Sequence, residues 1–236
     1  MAGERYIRRL GAWRAFVYVA IAAAALAWVL MARAATVGRA APVSTGKDSQ
    51  GSVEQAARVG QAAPTFTGKD SRGKTESLAQ YLGKYVVLEW TNRDCPYTQK
   101  QYSSGNMQAL QREWTGKGVI WLTVLSSAPS EQGYLTAFEE NEHILQVHAH
   151  PTAAILDPRG EIGRLYGAKT TPHMFVIDPN GKLIYDGAID DKPTTDTADV
   201  KGAKNYVSAA LTEAMAGQPV EVALTRPYGC SVKYAE

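Results

Sequence analysis

A short apolar run in the sequence ends just before a cysteine and a proline. Residues Tyr85–Trp90 read YVVLEW, and Gly83 bounds the run on its N-terminal side. A short run of β-branched and aromatic residues is typical of a buried β-strand. Cys95 follows a few polar residues later, and Pro96 suits the first turn of an α-helix. We therefore expect Cys95 to lie where a strand ends and a helix begins.

Further apolar runs alternate with helical patterns along the rest of the chain. The order is strand, helix, strand, helix, strand, and then a hairpin and a last helix, which predicts an α/β fold with a central mixed β-sheet flanked by helices. The predicted strands are Val119–Leu125, Thr152–Leu156, Met174–Ile177 and Leu183–Ala188, after an early hairpin of Thr65–Lys69 and Lys74–Leu78. The predicted helices start at Pro96, with a break at Ser103–Gly105, and continue with Ser130–Ile144, Glu161–Tyr166 and Gly202–Met215.

The N-terminus has the pattern of a targeting segment. Basic residues precede the uncharged run Ala15–Met31, which predicts a transmembrane signal anchor or a cleaved signal peptide over residues 1–34. Residues 35–58 are rich in small and polar residues and are expected to form a flexible linker, leaving 59–236 as the folded domain. Either reading of the leader places that domain outside the cytoplasm, anchored to the membrane or released into the periplasm of a bacterium, where a disulfide can persist.

The bulk composition excludes several classes of protein. A hydrophobic content of 45% with 20% charged residues is that of a folded globular chain rather than a disordered one. A net charge of +2 gives no reason to expect nucleic acid as a partner. Two cysteines are too few for a disulfide-rich scaffold but suffice for one pair.

The position of Cys95 favours a reactive thiol. The first turn of a helix presents unpaired N–H groups and the positive end of the helix dipole, and both stabilise a thiolate. Asp94 opposes this effect and Arg93 partly offsets Asp94. The alternative is a small buried side chain without chemistry, as free cysteine often is.

The segment VVLEWTNRDCPYT resembles the active-site segment of the thioredoxin superfamily. Cys95 matches the first cysteine of its Cys-x-x-Cys motif, and Thr98 stands in place of the second. The stretch TTPHMFVIDPNGKLIYDGAIDD, which begins at Thr170, and the tail TRPYGCSVKY, which begins at Thr225, resemble the peroxiredoxin-like redoxins of the alkyl hydroperoxide reductase/thiol-specific antioxidant group. The resemblance implies a thioredoxin-like fold and redox chemistry at Cys95.

The sequence departs from that group at two positions. The threonine that peroxiredoxins carry three residues before their reactive cysteine is Asn92 here. The peroxidatic cysteine of the group aligns with Thr98, so Cys95 does not inherit that role by position. Cys230 is then the only cysteine in the sequence that can act as a resolving thiol. Two readings of the pair stay open: a redox couple with a distant resolving cysteine, and a static disulfide, which a loop of this size would make stabilising.

The resemblance also assigns roles around the cysteines. It implies that the Thr171–Pro172 bond is cis, with Thr171 offering backbone groups to an incoming peptide. Pro172 is accordingly placed beside Cys95 as part of the catalytic site, and Pro96 and Tyr97 next to Cys95 are expected to contact the substrate.

Other polar residues are weaker candidates. A carboxylate within an apolar strand, as at Glu89, would have a raised pKa and relay a proton to Cys95, unless the side chain points to solvent at a sheet edge. His143, His148 and His150 are read as surface residues rather than metal ligands. His173 is expected either to approach Cys95 or to pack beside the proline.

Two functions from different classes follow. The first is an extracytoplasmic redoxin that exchanges disulfides or reduces a peroxide through Cys95 and receives electrons from another thiol protein, without metal or cofactor. The second is a non-catalytic thioredoxin-like module that binds a peptide beside Pro172 and whose cysteines are structural or unpaired.

Overall fold

The computed structural model describes residues 56–236. The predicted anchor or signal segment, 1–34, and nearly all of the predicted linker, 35–58, lie outside the described residues. Within residues 56–236, no helix has the length and apolar character that crossing a membrane requires.

The described chain is built on a central mixed sheet. The seven strands of this sheet are β1 (Thr67–Asp70), β2 (Thr75–Ser77), β3 (Val86–Trp90), β4 (Ile120–Leu125), β5 (Ala153–Leu156), β7 (His173–Ile177) and β8 (Leu183–Gly187). They lie in the order β2-β1-β5-β4-β3-β7-β8; the pairs β3–β4 and β4–β5 are parallel, and the other pairs are antiparallel.

Helices surround the sheet and connect its parallel strands. They are α1 (Pro96–Ser103), α2 (Asn106–Gly116), α3 (Ala137–Gln146), α4 (Glu161–Tyr166) and α5 (Tyr206–Met215), with 3₁₀ turns at Leu78–Tyr81 and Thr197–Gly202. The predicted break between α1 and α2 is confirmed, because Gly105 adopts a left-handed conformation there with φ of 77°. This is the helix-flanked mixed sheet that the resemblance implies.

The sheet is buried on both faces, which explains the continuous apolar runs of its central strands. In β3, Val86, Leu88 and Trp90 contribute to the hydrophobic cluster on one face of the sheet. Val87 contributes to the cluster on the opposite face, packed with residues of α2 and α5. Two cores therefore hold β3 in place, and its C-terminal end positions Cys95.

The start of α3 corrects a predicted boundary. The helix begins at Ala137 rather than at Ser130, because Thr136 and Glu139 form a reciprocal capping box. Before the cap, Ser130 and Gly133 have φ values of 72° and 82°, which an α-helix does not accept.

The start of α5 is likewise later than predicted. Asn205 caps the helix by accepting a hydrogen bond from the Ser208 N–H, so α5 begins at Tyr206. The preceding segment from Gly202, predicted as helix, belongs instead to the 3₁₀ turn Thr197–Gly202 and the connection after it.

The C-terminal tail forms a strand pair that the sequence did not predict. Strand β9 (Cys230–Ser231) pairs antiparallel with β6 (Thr170–Thr171), in the register Thr171 opposite Cys230. The tail thus returns from the far end of the chain to the loop that precedes β7.

Candidate active site

Cys95 occupies the N-cap of α1. Its backbone is extended, with φ of −80° and ψ of 121°, and Pro96 takes the first helical position. The Cys95 carbonyl accepts the first helical hydrogen bond from the Gln99 N–H at 2.8 Å, and the Cys95 N–H donates to the Asn92 carbonyl at 3.1 Å. The residue is fully buried. Its sulfur therefore faces the protein interior at the amino end of a helix.

The surroundings of Cys95 favour its ionised form. Burial raises the pKa of the Cys95 thiol, but the neighbouring Cys230 thiol, the Thr171 side chain and the N–H groups of Thr98 and Cys230 outweigh burial and bring the pKa below its ordinary value. The Thr171 carbonyl oxygen, 3.0 Å from Sγ, opposes this shift because it accepts the proton of the neutral thiol. Since the groups that lower the pKa prevail, Cys95 is the more nucleophilic of the two cysteines.

Cys230 lies directly against Cys95. The pairing of β9 with β6 brings the Cys230 N–H to 3.3 Å from the Cys95 sulfur. Both cysteines are free thiols. Burial, followed by the hydrogen bond to Cys95 and the negative charge on Cys95, raises the pKa of Cys230 to about 11. The site therefore combines one thiol disposed to ionise with a neighbour held neutral.

The loop before β7 supplies the third component of the site. The Thr171–Pro172 peptide bond is cis, as the resemblance implies. Thr171 is buried, and its carbonyl contacts the Cys95 sulfur. The Thr170 hydroxyl donates to the Pro172 carbonyl at 3.0 Å. The structure thus places the proline loop beside Cys95.

Residues on the first turn of α1 have different environments. Thr98 is buried, and its N–H is directed at Cys95. Within residues 56–236, the Thr98 hydroxyl oxygen has no hydrogen-bond partner. Tyr97 is half-buried and packs edge-on against the Tyr228 ring at 5.8 Å between centroids, whereas Pro96 is exposed. Tyr97 thus faces the tail, and Pro96 faces solvent.

Glu89 lies in the middle of the sheet, so the alternative prediction that its side chain points to solvent at a sheet edge is wrong. β3 is flanked by β4 and β7, and Glu89 is fully buried. Its carboxylate accepts hydrogen bonds from the side chains of Trp121 at 2.8 Å, Tyr102 at 2.9 Å and Gln111 at 3.2 Å. Burial raises the pKa of Glu89 to about 7, although these donors oppose the rise. None of these hydrogen bonds reaches Cys95.

The histidines do not converge on Cys95. Both ring nitrogens of His173 are used, with Nδ1 accepting from the Lys169 N–H at 3.2 Å and Nε2 lying 2.8 Å from the Asp186 carboxylate. His173 therefore packs beside the proline loop and holds it. His143 lies half-buried on α3, where burial lowers its pKa, while His148 and His150 follow that helix and are both exposed.

Sequence reasoning missed the role of Asn92, which organises the loop before Cys95. Its side chain is buried, accepts from the Asp94 N–H at 2.8 Å and donates to the Gln132 carbonyl at 3.1 Å. The Asp94 carboxylate in turn accepts from the Gly133 N–H at 3.1 Å. The signal in the sequence was that Asn92 stands where peroxiredoxins carry a threonine that helps to bind peroxide. That resemblance indicated a residue that contacts the substrate, and not one that holds the loop in place.

We predict that Asn92→Ala destabilises the protein by about 1–3 kcal/mol, because the buried Asn92 side chain makes two hydrogen bonds, with the Asp94 N–H and the Gln132 carbonyl, and each contributes about 0.5–1.5 kcal/mol. Denaturant unfolding followed by circular dichroism measures the loss. The exposed Asn180 in the turn between β7 and β8 provides the matched control, and Asn180→Ala should change the free energy of unfolding by less than about 0.5 kcal/mol. Equal effects of the two substitutions would contradict the anchoring role.

A second residue that sequence reasoning missed is Gly229. It has φ of 140°, and a Cβ atom there would lie 2.1 Å from the Thr171 carbonyl oxygen. Only glycine lets the tail approach the proline loop this closely. The only hint of this role in the sequence was that Gly229 directly precedes Cys230.

Comparison with known families gives one match, which covers residues 59–186 and is to the AhpC/TSA family. Cys230 and the tail lie beyond the matched residues. A comparison with curated proteins found no match.

Solved structures show the same fold. A hypothetical protein from Sinorhizobium meliloti 1021 is 19% identical with a TM-score of 0.63, over 77% of this chain and 97% of that one. An uncharacterized conserved protein from Geobacillus kaustophilus is 20% identical with a TM-score of 0.62, over 75% of this chain and 93% of that one. At these identities the likeness establishes the fold alone. Together with the match over more than half of the chain, it shows that this protein belongs to the AhpC/TSA family of redoxins and has a thioredoxin-like fold.

Proposed function

We propose that the protein is a thiol–disulfide oxidoreductase in which Cys95 is the nucleophile and Cys230 the resolving thiol. The observation that carries the proposal is the position of the Cys95 sulfur, 3.3 Å from the Cys230 N–H and 3.0 Å from the Thr171 carbonyl of the cis-proline loop. A thiolate at a helix start, with a second thiol beside it, has what is needed for disulfide exchange.

The first step is attack on a substrate disulfide. Because Cys95 is fully buried and Cys230 lies against it, the tail moves aside to admit the substrate. The Cys95 thiolate then forms a bond to one substrate sulfur, and the bond between the two substrate sulfurs breaks. The leaving sulfur departs as a thiolate and takes a proton. Cys95 is then part of a mixed disulfide and no longer carries a negative charge.

The second step closes the pair. Cys230 loses its proton and attacks the Cys95 sulfur, which releases the substrate as a second thiol and leaves a Cys95–Cys230 disulfide. The negative charge on Cys95 contributes to the raised pKa of Cys230. Since the first step removes that charge, the pKa of Cys230 falls when its thiolate is needed. A dithiol protein as electron donor then restores both thiols.

The geometry favours disulfide exchange over peroxide reduction. Thr98 stands where related peroxidases carry the peroxidatic cysteine, and a hydroxyl group cannot form a sulfenic acid. The Asn92 side chain holds the loop through Asp94 and Gln132 and does not take the role of the peroxide-binding threonine.

The proposal includes a location outside the cytoplasm. It rests on the basic and apolar segment at residues 1–34, followed by the linker 35–58, which precede the domain 59–236. The partners we propose are an oxidised protein substrate and a thiol protein as electron donor. Thr171 would bind the substrate by its backbone once the tail strand that pairs with it has moved aside, and Pro96 and Tyr97 would contact the substrate. A membrane is the third partner if the segment is retained as an anchor.

Trapping tests the proposed function. With glutathione disulfide as the probe, Cys230→Ser should accumulate a glutathione adduct on Cys95, at least tenfold above the wild-type protein, because the resolving thiol is gone. Intact-mass spectrometry measures the adduct. The control Cys95→Ser should gain less adduct than Cys230→Ser, because burial still raises the pKa of Cys230 after the charge of Cys95 is gone.

Two outcomes would contradict the proposal. If Cys230→Ser carries no adduct, Cys95 is inert, and the non-catalytic binding module becomes the better reading. If the wild-type pair forms a disulfide with a reduction potential below about −300 mV, the pair is a structural staple instead of a working couple. A sulfenic acid on Cys95 after peroxide treatment would instead support peroxide reduction.

A further inference from the structure

Beyond Cys230, the Tyr234 side chain packs into a socket on α4 that Gly160 and Gly163 leave open. A Cβ atom at Gly163 would lie 2.4 Å from the Tyr234 hydroxyl oxygen, and one at Gly160 would lie 2.4 Å from the Tyr234 ring. At either position a larger residue would fit only if the Tyr234 side chain moved away. Gly163 lies inside α4, where glycine costs about 1 kcal/mol relative to alanine. Space for the tyrosine ring is a physical reason for a glycine there.

Polar contacts fix Tyr234 in this socket. Its hydroxyl donates to the Ala168 carbonyl at 2.8 Å, and the Arg164 guanidinium lies 4.7 Å from the ring centroid. Arg164 also donates to the Ala235 carbonyl at 2.5 Å. The residue before Tyr234 is also held, because the Lys233 carbonyl accepts a hydrogen bond from the Ala128 N–H at 2.8 Å. The ring is thus held by apolar packing, a cation and hydrogen bonds.

The socket is linked directly to the strand pair that carries Cys230. Ala168 and Lys169 immediately precede β6, and the Val232 N–H donates to the Lys169 carbonyl at 3.1 Å. Strands β6 and β9 have two residues each. So short a pair has little stability of its own and depends on contacts outside it. Tyr234 supplies such contacts on the C-terminal side of Cys230.

We propose that Tyr234 is the positioning residue of the Cys95–Cys230 pair. By fixing the tail against α4, it holds Cys230 over the Cys95 sulfur and raises the effective concentration of one thiol at the other. This inference rests on the proposed function. It concerns the equilibrium in which the two thiols together lose two protons and two electrons to an external disulfide and form the Cys95–Cys230 bond.

Reduction potentials test the inference. The 236-residue chain and its variants are equilibrated in mixtures of reduced and oxidised glutathione, and the fraction with a Cys95–Cys230 disulfide is measured by thiol alkylation and mass spectrometry. Tyr234→Ala should lower the equilibrium constant for disulfide formation at least tenfold, which raises the potential by about 30 mV for a two-electron couple. Tyr234→Phe keeps the ring and should cost less than Tyr234→Ala.

Two glycine variants provide a matched pair. Gly163→Ala fills the socket while Tyr234 stays in the sequence, and should lower the equilibrium constant as Tyr234→Ala does. Gly116→Ala places the same methyl group at the end of α2, where a Cβ atom meets nothing within 4 Å, and should leave the equilibrium constant unchanged. A purely structural role of Tyr234 would lower the stability of the fold but would not shift the potential.

The outcomes separate this inference from the proposed function. If the wild-type protein forms no reversible Cys95–Cys230 disulfide, the proposed function fails. If it does, and Tyr234→Ala and Gly163→Ala both stay within threefold of the wild-type equilibrium constant, the role of Tyr234 is overturned while the proposed function stands. Should Tyr234→Ala not fold, Tyr234→Leu is measured against the same threshold.

Discussion

Gly229→Ala is expected to slow closure of the Cys95–Cys230 disulfide by about 100-fold, the size of effect that a misplacement of roughly 1 Å can have on a reacting pair. The added Cβ atom would lie 2.1 Å from the Thr171 carbonyl oxygen and 2.7 Å from the Thr171 carbonyl carbon. Both are backbone atoms of the buried proline loop and cannot move aside as a flexible side chain would. The tail must therefore retreat and take Cys230 with it.

Closure is measured on Cys95 that has first been converted to a glutathione mixed disulfide, by following glutathione release with time. The control is Gly217→Ala, because Gly217 also has a positive φ, 73°, but a Cβ atom there meets nothing within 4 Å. That variant also places an alanine at a positive φ, but without a clash, and should close at the wild-type rate. Equal rates for Gly229→Ala and the wild-type protein would show that the tail approaches Cys95 by another path.

The second prediction is that the folded state loses stability as the pH rises from about 5 to about 8. Burial raises the pKa of Glu89 to about 7 and that of Glu140 to about 8; the charge of Glu89 adds to the shift of Glu140, and Arg93 opposes it. A carboxyl group whose pKa is higher in the folded state binds its proton more tightly there than in the unfolded chain, so stability falls wherever only the unfolded chain is ionised.

The window follows from the pKa values. Below about pH 4.5 both carboxyl groups are protonated in both states, and no stability is lost. Between there and about pH 7 the unfolded Glu89 ionises while the folded one resists, which amounts to roughly 3 kcal/mol at about 1.4 kcal/mol per pKa unit. Glu140 extends the loss to about pH 8. Burial lowers the pKa of His143, so this residue acts in the opposite direction: its contribution to the stability of the folded state is lost as the pH falls.

Substitution to glutamine tests this reading. Glu89→Gln removes the titrating carboxyl group, while the glutamine amide can still accept from Trp121 and exchange a hydrogen bond with Tyr102. The variant should therefore be more stable than the wild-type protein at pH 8 and similar to it at pH 5. Glu142→Gln, an exposed position on the same helix as Glu140, is the control and should follow the wild-type curve. Denaturant unfolding at a series of pH values measures the effect. A wild-type stability that is flat from pH 5 to 8 would contradict the prediction.

The local parts of the fold could be read from the sequence. The strand ending at Trp90, the helix that starts at Pro96 and the helix break near Gly105 depend on residue types within a few positions, and the structure confirms all three. Two helix starts were predicted too early. The helical apolar pattern begins before Thr136 and Asn205, but the side chains of these two residues cap α3 and α5 and so fix the first residue of each helix.

The arrangement of the site depends on distant residues, which a pattern along the chain does not contain. Cys95 and Cys230 are 135 positions apart, and their contact needs a strand pair of two residues and a glycine that admits the proline loop. The environment of Glu89 shows the same limit. Alternation in the strand placed Glu89 on the same face as Val87 but left open whether its side chain was buried or pointed to solvent at a sheet edge. The side chain is in fact buried against donors from α1, α2 and β4.

The hydrogen bond from the Trp121 indole to the Glu89 carboxylate, 2.8 Å long, has a practical consequence. Trp90 and Trp114 donate instead to the hydroxyl groups of Ser126 and Ser208. When Glu89 ionises, a negative charge appears at one end of the Trp121 ring and at neither of the other two indoles within residues 56–236. The fluorescence of this one indole should therefore report, without any attached label, whether the carboxyl group at the centre of the sheet is charged.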